Sequence, residues 1–154
     1  MRRVAAIFSS AEGVMRWLTH LGGAWATIGV GLGLIALDHR LGAAAVLANA
    51  ASHALVQILK RTVARPRPCD ANGRPLALVD PPDVHSFPSG HAAAATAVAT
   101  TIAIAHPLLA PGALVLAALV SYSRVALRVH HVSDVLAGAA LGLGGAIAAD
   151  YLLR

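Results

Sequence analysis

Ser123-Arg124-Val125-Ala126-Leu127-Arg128-Val129-His130-His131-Val132-Ser133-Asp134 sets two arginines, two histidines and a carboxylate between two apolar segments. Charge beside hydrocarbon is expensive, so ionisable groups at the seam of two membrane helices tend to mark a functional site. The chemistry open to this stretch is phosphoryl transfer at His130. A neutral imidazole attacks phosphorus when a carboxylate fixes its tautomer and steadies the cation that forms, and Asp134 lies four residues on, one helical turn away. Arg124 would hold the phosphate. A membrane-edge arginine cluster around a hydrogen-bonded histidine pair is the plainer alternative, and this stretch alone does not separate the two.

Composition says what the seam joins. A chain of 154 residues allows one domain, and 57% hydrophobic against 12% charged residues, with a mean hydropathy of +0.69, points away from a soluble one. The expectation is an all-α integral membrane bundle, with residues 1–154 forming a single membrane-embedded domain. A net charge of +5 suits anionic partners, but in a membrane protein twelve Lys and Arg are topology signals before they are nucleic-acid contacts. Basic and aromatic residues are not interleaved, so no nucleic-acid partner is expected. The single cysteine, Cys69, excludes an intrachain disulfide. Nothing in the sequence sets an oligomeric state.

Working outward, residues 1–20 carry Arg2, Arg3, Glu12 and Arg16 among apolar residues. That is too charged to span and predicts a helix lying in the interface, with Trp17 near its end. Glu12 and Arg16 interrupt the apolar core that a cleavable signal peptide needs, so cleavage is not expected. Residues 21–154 form the helical bundle. Its five apolar runs, 21–37, 41–59, 89–106, 113–127 and 135–153, sit near or just under the roughly 17 to 25 residues of a spanning helix. His53 interrupts the second run and is expected to hydrogen-bond a neighbouring helix. Gly138 and Gly142 make a G-x-x-x-G pair that permits close helix packing. Residues 60–87 are the one long polar segment, a loop rather than a linker between domains.

Counting spans does mechanistic work, because consecutive spans alternate sides. Lys60 and Arg67 follow the second run, Ser89 to His91 open the third, and Arg124 to Asp134 join the fourth to the fifth, so all three clusters face one side. One span more or fewer between them would separate the clusters by about 30 Å of hydrocarbon. The middle cluster, Phe87-Pro88-Ser89-Gly90-His91, has its own physics. Pro88 suits the first turn of a helix, Gly90 lets a bulky oxyanion approach the backbone, and the free N–H groups of a helix start favour an anion. His91 could give its proton to a leaving oxygen.

Together the three clusters resemble the type 2 phosphatidic acid phosphatase superfamily of membrane lipid phosphatases. Lys60 with Arg67-Pro68, Pro88 to His91, and Ser123-Arg124 with His130 and Asp134 match the family's three elements in order and spacing, over roughly residues 41–153. Members often have six spanning helices, one more than the runs found here. The resemblance implies that His130 is the nucleophile and forms a phosphohistidine, that Asp134 orients it, and that His91 protonates the leaving group and then activates water. It implies that Lys60, Arg67, Arg124, the Ser89 hydroxyl and the Gly90 N–H bind the non-bridging oxygens, where charge builds in the transition state. No metal and no cofactor is implied. The expected partners are the membrane and a lipid phosphate of the polyprenyl diphosphate, phosphatidate or phosphatidylglycerophosphate type.

Other residues carry no expected role. His131 is at the wrong angle on a helix to share Asp134 and reads as a bystander, and His85 as a loop histidine. Arg61, Arg65, Arg74 and Arg128 could draw anionic headgroups, although solvated charges are the commoner explanation. Asp70, Asp80 and Asp83, around Pro81 and Pro82, read as an exposed loop. Rival readings are a lipid phosphotransferase using the same residues, a vanadate-dependent peroxidase resembling the same three-element site, and a non-catalytic metal protein with His85, His91, His130 and His131 as ligands. The expected location is a bacterial cytoplasmic membrane. Five spans put the N-terminus and the site on one side with ten of the twelve Lys and Arg, against Arg40 and Arg154 opposite, and the positive-inside rule then turns the site to the cytoplasm.

Overall fold

Helices account for nearly all of the regular structure. The computed structural model describes residues 11–154, so the first part of the expected interfacial helix lies outside the described residues. In chain order, α1 spans Ala11–Leu21, α2 Ala24–Leu37, α3 His39–Val63, α4 Gly90–Ala105, α5 Ala110–Ala126 and α6 Val132–Leu152, with a single 3-10 turn at Pro107–Leu109 before α5. Among the described residues no strand forms, and isolated bridges pair Pro66 with His85 and Cys69 with Pro75 inside the long loop. The five apolar runs correspond to α2 through α6. Three segments, His39–Val63, Pro107–Ala126 and Val132–Leu152, are long and apolar enough to cross a membrane alone. α1 and α2, bent by 47° at Gly22 and Gly23, qualify as one broken span, and α4 is apolar but short.

α4 is the hub, packed against α3, α5 and α6. Its sequence suits that place: Ala92 to Ala95, Ala97, Val98 and Ala99 are all buried, because a helix apolar on every side belongs in the middle of a bundle. Small side chains let the backbones close in. A Cβ placed on Gly138 would strike the carbonyl of Ser89, and one on Gly142 the carbonyl of Ala93, so the G-x-x-x-G pair is the seam between α6 and α4.

Two expectations change in detail. Helix α4 starts at Gly90 with Ser89 as its N-cap, so Pro88 stands before the helix rather than in its first turn, behind a cis Phe87–Pro88 peptide. Serine is the better cap, its Oγ accepting the Ala92 N–H at 3.4 Å. Among the described residues His53 finds no hydrogen-bond partner on a neighbouring helix. It is exposed and meets Gln57, four residues on along the same helix, at 3.2 Å, the distance at which side chains one turn apart naturally meet.

The end of α3, the start of α4, the end of α5 and the start of α6 converge at one end of the bundle. The loop from Ala64 to Ser89 folds back over that end: Ser86 N–H donates to the Arg65 carbonyl at 2.8 Å, Leu78 N–H to Leu127 at 3.0 Å and Ser89 N–H to Asp134 at 2.9 Å. α1 lies there too, packed on α5. Arg40 and Arg154 share the opposite end, both beside Asp150.

Candidate active site

Lys60 arrives on the last turn of α3, which runs on to Val63, four residues past the expected end of the run. Its side chain is buried, and its ammonium donates to both oxygens of Asp83 at 2.9 and 3.0 Å and to the His85 carbonyl at 2.9 Å. Arg67 comes from the loop. Its Nη2 meets Asp83 Oδ1 at 3.0 Å, its Nε the Asp83 carbonyl at 2.9 Å and its Nη1 the Val129 carbonyl at 2.6 Å. Burial works against ionisation of Asp83, but the hydrogen bond and charge of Lys60 and those of Arg67 outweigh it and hold the carboxyl below its ordinary range. The sequence reading gave Asp83 no role. In the structure it is the carboxylate to which both Lys60 and Arg67 are paired.

Arg124, in the last turn of α5, is 3% exposed. One guanidinium nitrogen bonds Thr19 of α1, a residue that no sequence motif singles out. Its Nε is buried without a hydrogen-bond partner among the described residues. The chain then turns sharply: Arg128 adopts a left-handed φ of 57°, and the Arg124 carbonyl accepts from Val129 N–H at 3.2 Å and His130 N–H at 3.3 Å. This turn brings His130 back beside Arg124.

His130 is 3% exposed and its imidazole pKa is pushed down to about 2. Burial is the main cause, followed by the charges of Arg124, Arg67 and Lys60, while a main-chain hydrogen bond with Ser86 works the other way. The ring is therefore neutral at pH 7, the state with a lone pair to donate. Asp134, wholly buried in the first turn of α6, comes close but does not bond it: Nδ1 and Oδ2 are 3.6 Å apart. His130 sits in the turn before α6 and not on the helix, so the four-residue spacing is not a helical pair. The carboxylate is held instead by His131 N–H at 2.8 Å and by Arg65 at 2.9 Å, Arg65 also reaching Ser133 Oγ at 2.7 Å. His131 thus contributes through its backbone, and Arg65, first read as a solvated charge, is Asp134's ion-pair partner.

His91, the second residue of α4, and Gly90 line a cavity of about 710 Å³ with Lys60, Arg67, Asp83, Arg124 and His130. Ser89 is buried beneath them as the cap. Three buried or nearly buried cations against one carboxylate leave the polar end of this cavity with a positive surplus, which favours an anion with several oxygens. The cavity continues between α2 and α3, past Thr27, Ile28 and Val46. Among the described residues no three His, Cys, Asp or Glu side chains converge as metal ligands, so His85, His91, His130 and His131 do not form a common ligand set.

Residues 41–153 match the family model of the PAP2 superfamily. Decaprenylphosphoryl-5-phosphoribose phosphatases from two strains of Mycobacterium tuberculosis are each 37% identical over 143 residues, which cover 88% of this chain and 75% of theirs. The PAP2-type phosphatidylglycerolphosphate phosphatase of Bacillus subtilis superposes with a TM-score of 0.74 at 29% identity, over 96% of this chain and 80% of that one. Aquifex aeolicus LpxE gives a TM-score of 0.78 at 25% identity, over 90% and 84%.

Proposed function

The chain belongs to the PAP2 superfamily and is a membrane-embedded lipid phosphatase, and on that premise we propose that it hydrolyses a lipid phosphate through a phosphohistidine at His130. The observation that carries this reading is the convergence of Lys60, Arg67 and Arg124 with His91 and a neutral, buried His130 on one cavity. In the first step His130 attacks phosphorus and the bond from phosphorus to the lipid oxygen breaks, the oxygen leaving with a proton from His91. In the second, water attacks the phosphohistidine, gives its proton back to His91, and inorganic phosphate departs. Lys60, Arg67, Arg124 and the Gly90 N–H hold the non-bridging oxygens through both steps, and the Ser89 hydroxyl, whose oxygen caps α4, keeps its hydrogen to give. Asp83 must release Lys60 and Arg67 to the incoming phosphate. Asp134, 3.6 Å from Nδ1, closes to a hydrogen bond as the imidazolium character of His130 grows, since such contacts tighten in the transition state.

The relatives' substrates are a prenylphosphoryl pentose phosphate and phosphatidylglycerolphosphate, and this chain's substrate belongs with those lipid phosphates. We assign the site to the cytoplasmic side: among the described residues Arg16, Arg61, Arg74 and Arg128, outside the catalytic set and its ion pairs, belong to the end that carries it, against Arg40 and Arg154 at the other. The exposed Cys69 tests the orientation. An impermeant thiol reagent should spare it in intact cells and label it after lysis. Purified protein in detergent should release phosphate from these lipids in the presence of chelator and give an acid-labile phosphoprotein on rapid quench. Loss of turnover in chelator, restored by zinc or magnesium, would rule the mechanism out.

A further inference from the structure

The wall of the cavity carries polar groups that this chemistry does not use. Asn49, His53 and Gln57 lie at intervals of four on α3, Lys60 follows three residues later, and all four line the one cavity. At 3.6 residues per turn they fall in a stripe about 80° wide. Elsewhere α3 shows Leu47, Leu55 and Ile58 to its surroundings. Between Leu41 and Leu59 the one other polar side chain is Ser52, buried and bonded back to the Asn49 carbonyl at 3.0 Å, so polarity in the interior of this spanning helix is concentrated on the cavity wall, and an ionisable imidazole there has functional meaning by default. Asn49 Nδ2 donates to Thr27 Oγ1 on α2 at 3.1 Å, and Gln57 meets His53 at 3.2 Å. Each amide has two donor hydrogens and a carbonyl acceptor, so these two bonds leave capacity for a ligand.

Depth selects the ligand. At about 1.5 Å per residue, Gln57 lies about 4 to 5 Å below Lys60 along the helix, His53 about 10 Å and Asn49 about 16 Å. A phosphate held by Lys60 would therefore set the next chemical segment of its ester against Gln57 and His53. If that segment were hydrocarbon, their polar atoms would be covered and unpaired, a cost that rejects the ligand. If it bore hydroxyls, they would be satisfied.

We propose that Gln57 and His53 form a specificity subsite for a hydroxylated spacer, so that the preferred substrate carries its terminal phosphate on a sugar or polyol rather than directly on the lipid chain. This rests on the lipid phosphatase reading above. The test compares kcat/KM in detergent for a prenyl monophosphate and for a prenylphosphoryl pentose 5-phosphate of the same prenyl length. Wild-type protein should prefer the second at least tenfold. His53→Leu and Gln57→Leu should each lower the second about tenfold while leaving the first within twofold, and Gln57→Asn, which keeps the amide, should recover part of the loss. Apolar replacements on a spanning helix do not threaten insertion, and hydrolysis of the monophosphate reports that each variant is folded. Equal losses on both probes, or a wild-type preference for the monophosphate, would overturn the subsite alone. Release of phosphate from neither probe by wild-type protein would overturn the phosphatase reading with it.

Discussion

The two ends of the bundle hold the same kinds of residue and use them differently. At one end Arg40 and Arg154 flank Asp150, with side chains 58% and 67% exposed; at the other, Lys60 and Arg124 are buried and the Arg67 side chain is nearly so, with Asp83 paired to Lys60 and Arg67. Exposed pairs are solvated whether or not they meet, and contribute little. Buried cations in surplus are costly unless an anion arrives. The lesson is that composition does not separate a topology marker from a binding site; burial and charge balance do.

The sharpest way to break this comparison is at the proposed nucleophile. His130→Ala should lower kcat by roughly 10⁴-fold or more and abolish the quenched phosphoprotein, as removal of a covalent nucleophile does. His91→Ala should slow both chemical steps by about 10² to 10⁴. Equal residual rates in the two variants would show that the roles are misassigned. Asp83→Asn comes next. It leaves Lys60 and Arg67 without their carboxylate, so inhibition by inorganic phosphate should tighten about tenfold, while thermal stability falls by roughly 1 to 2 kcal/mol, the usual cost of a broken buried pair discounted for the partly exposed carboxylate. Added phosphate should restore the stability. A variant with unchanged phosphate inhibition would mean that Asp83 does not compete for the phosphate position.

The pH dependence sharpens the same contrast. His130 titrates near 6.5 when unfolded and at about 2 when folded, so below pH 6.5 the unfolded chain binds a proton that the native one does not. Its contribution is fully present above pH 6.5 and is lost as pH falls from there toward 2, at up to about 1.4 kcal/mol per pH unit. Melting in detergent between pH 7.5 and 5 should show this slope in the wild type and a shallower one in His130→Ala. The smallest effect belongs to the far end: Arg40→Ala and Arg154→Ala should leave kcat/KM unchanged and shift stability by less than about 0.5 kcal/mol. A larger loss of activity there would erase the distinction between the ends.

Some of what the sequence missed had a signal. Arg65-Pro66-Arg67-Pro68 is held extended by its prolines, and successive side chains of an extended segment point to opposite sides. Arg65 and Arg67, two residues apart, therefore share a side, so if Arg67 faces the candidate site Arg65 faces it too, and in the fold Arg65 reaches Asp134 there. Asp83 offered less: it lies 23 residues from Lys60 in an irregular loop, where no periodicity links the two. Thr19 is 105 residues from Arg124 and meets it only because α1 packs on α5.

The sequence by itself determined the helical membrane bundle, the grouping of Lys60, Arg67, His91, Arg124 and His130 at one end, and a close-packing face at Gly138 and Gly142, whose partner α4 only the fold supplied. These follow from apolar run lengths, from the parity of spans and from the size of side chains, all of which are local or countable. Tertiary structure alone decided who pairs with whom: Asp83 with Lys60 and Arg67, Arg65 with Asp134, and a gap of 3.6 Å between His130 and the carboxylate first assigned to it. Charge pairing depends on distance and burial at the scale of a single side chain, and the long loop that sets those distances has no repeating pattern from which they could be read.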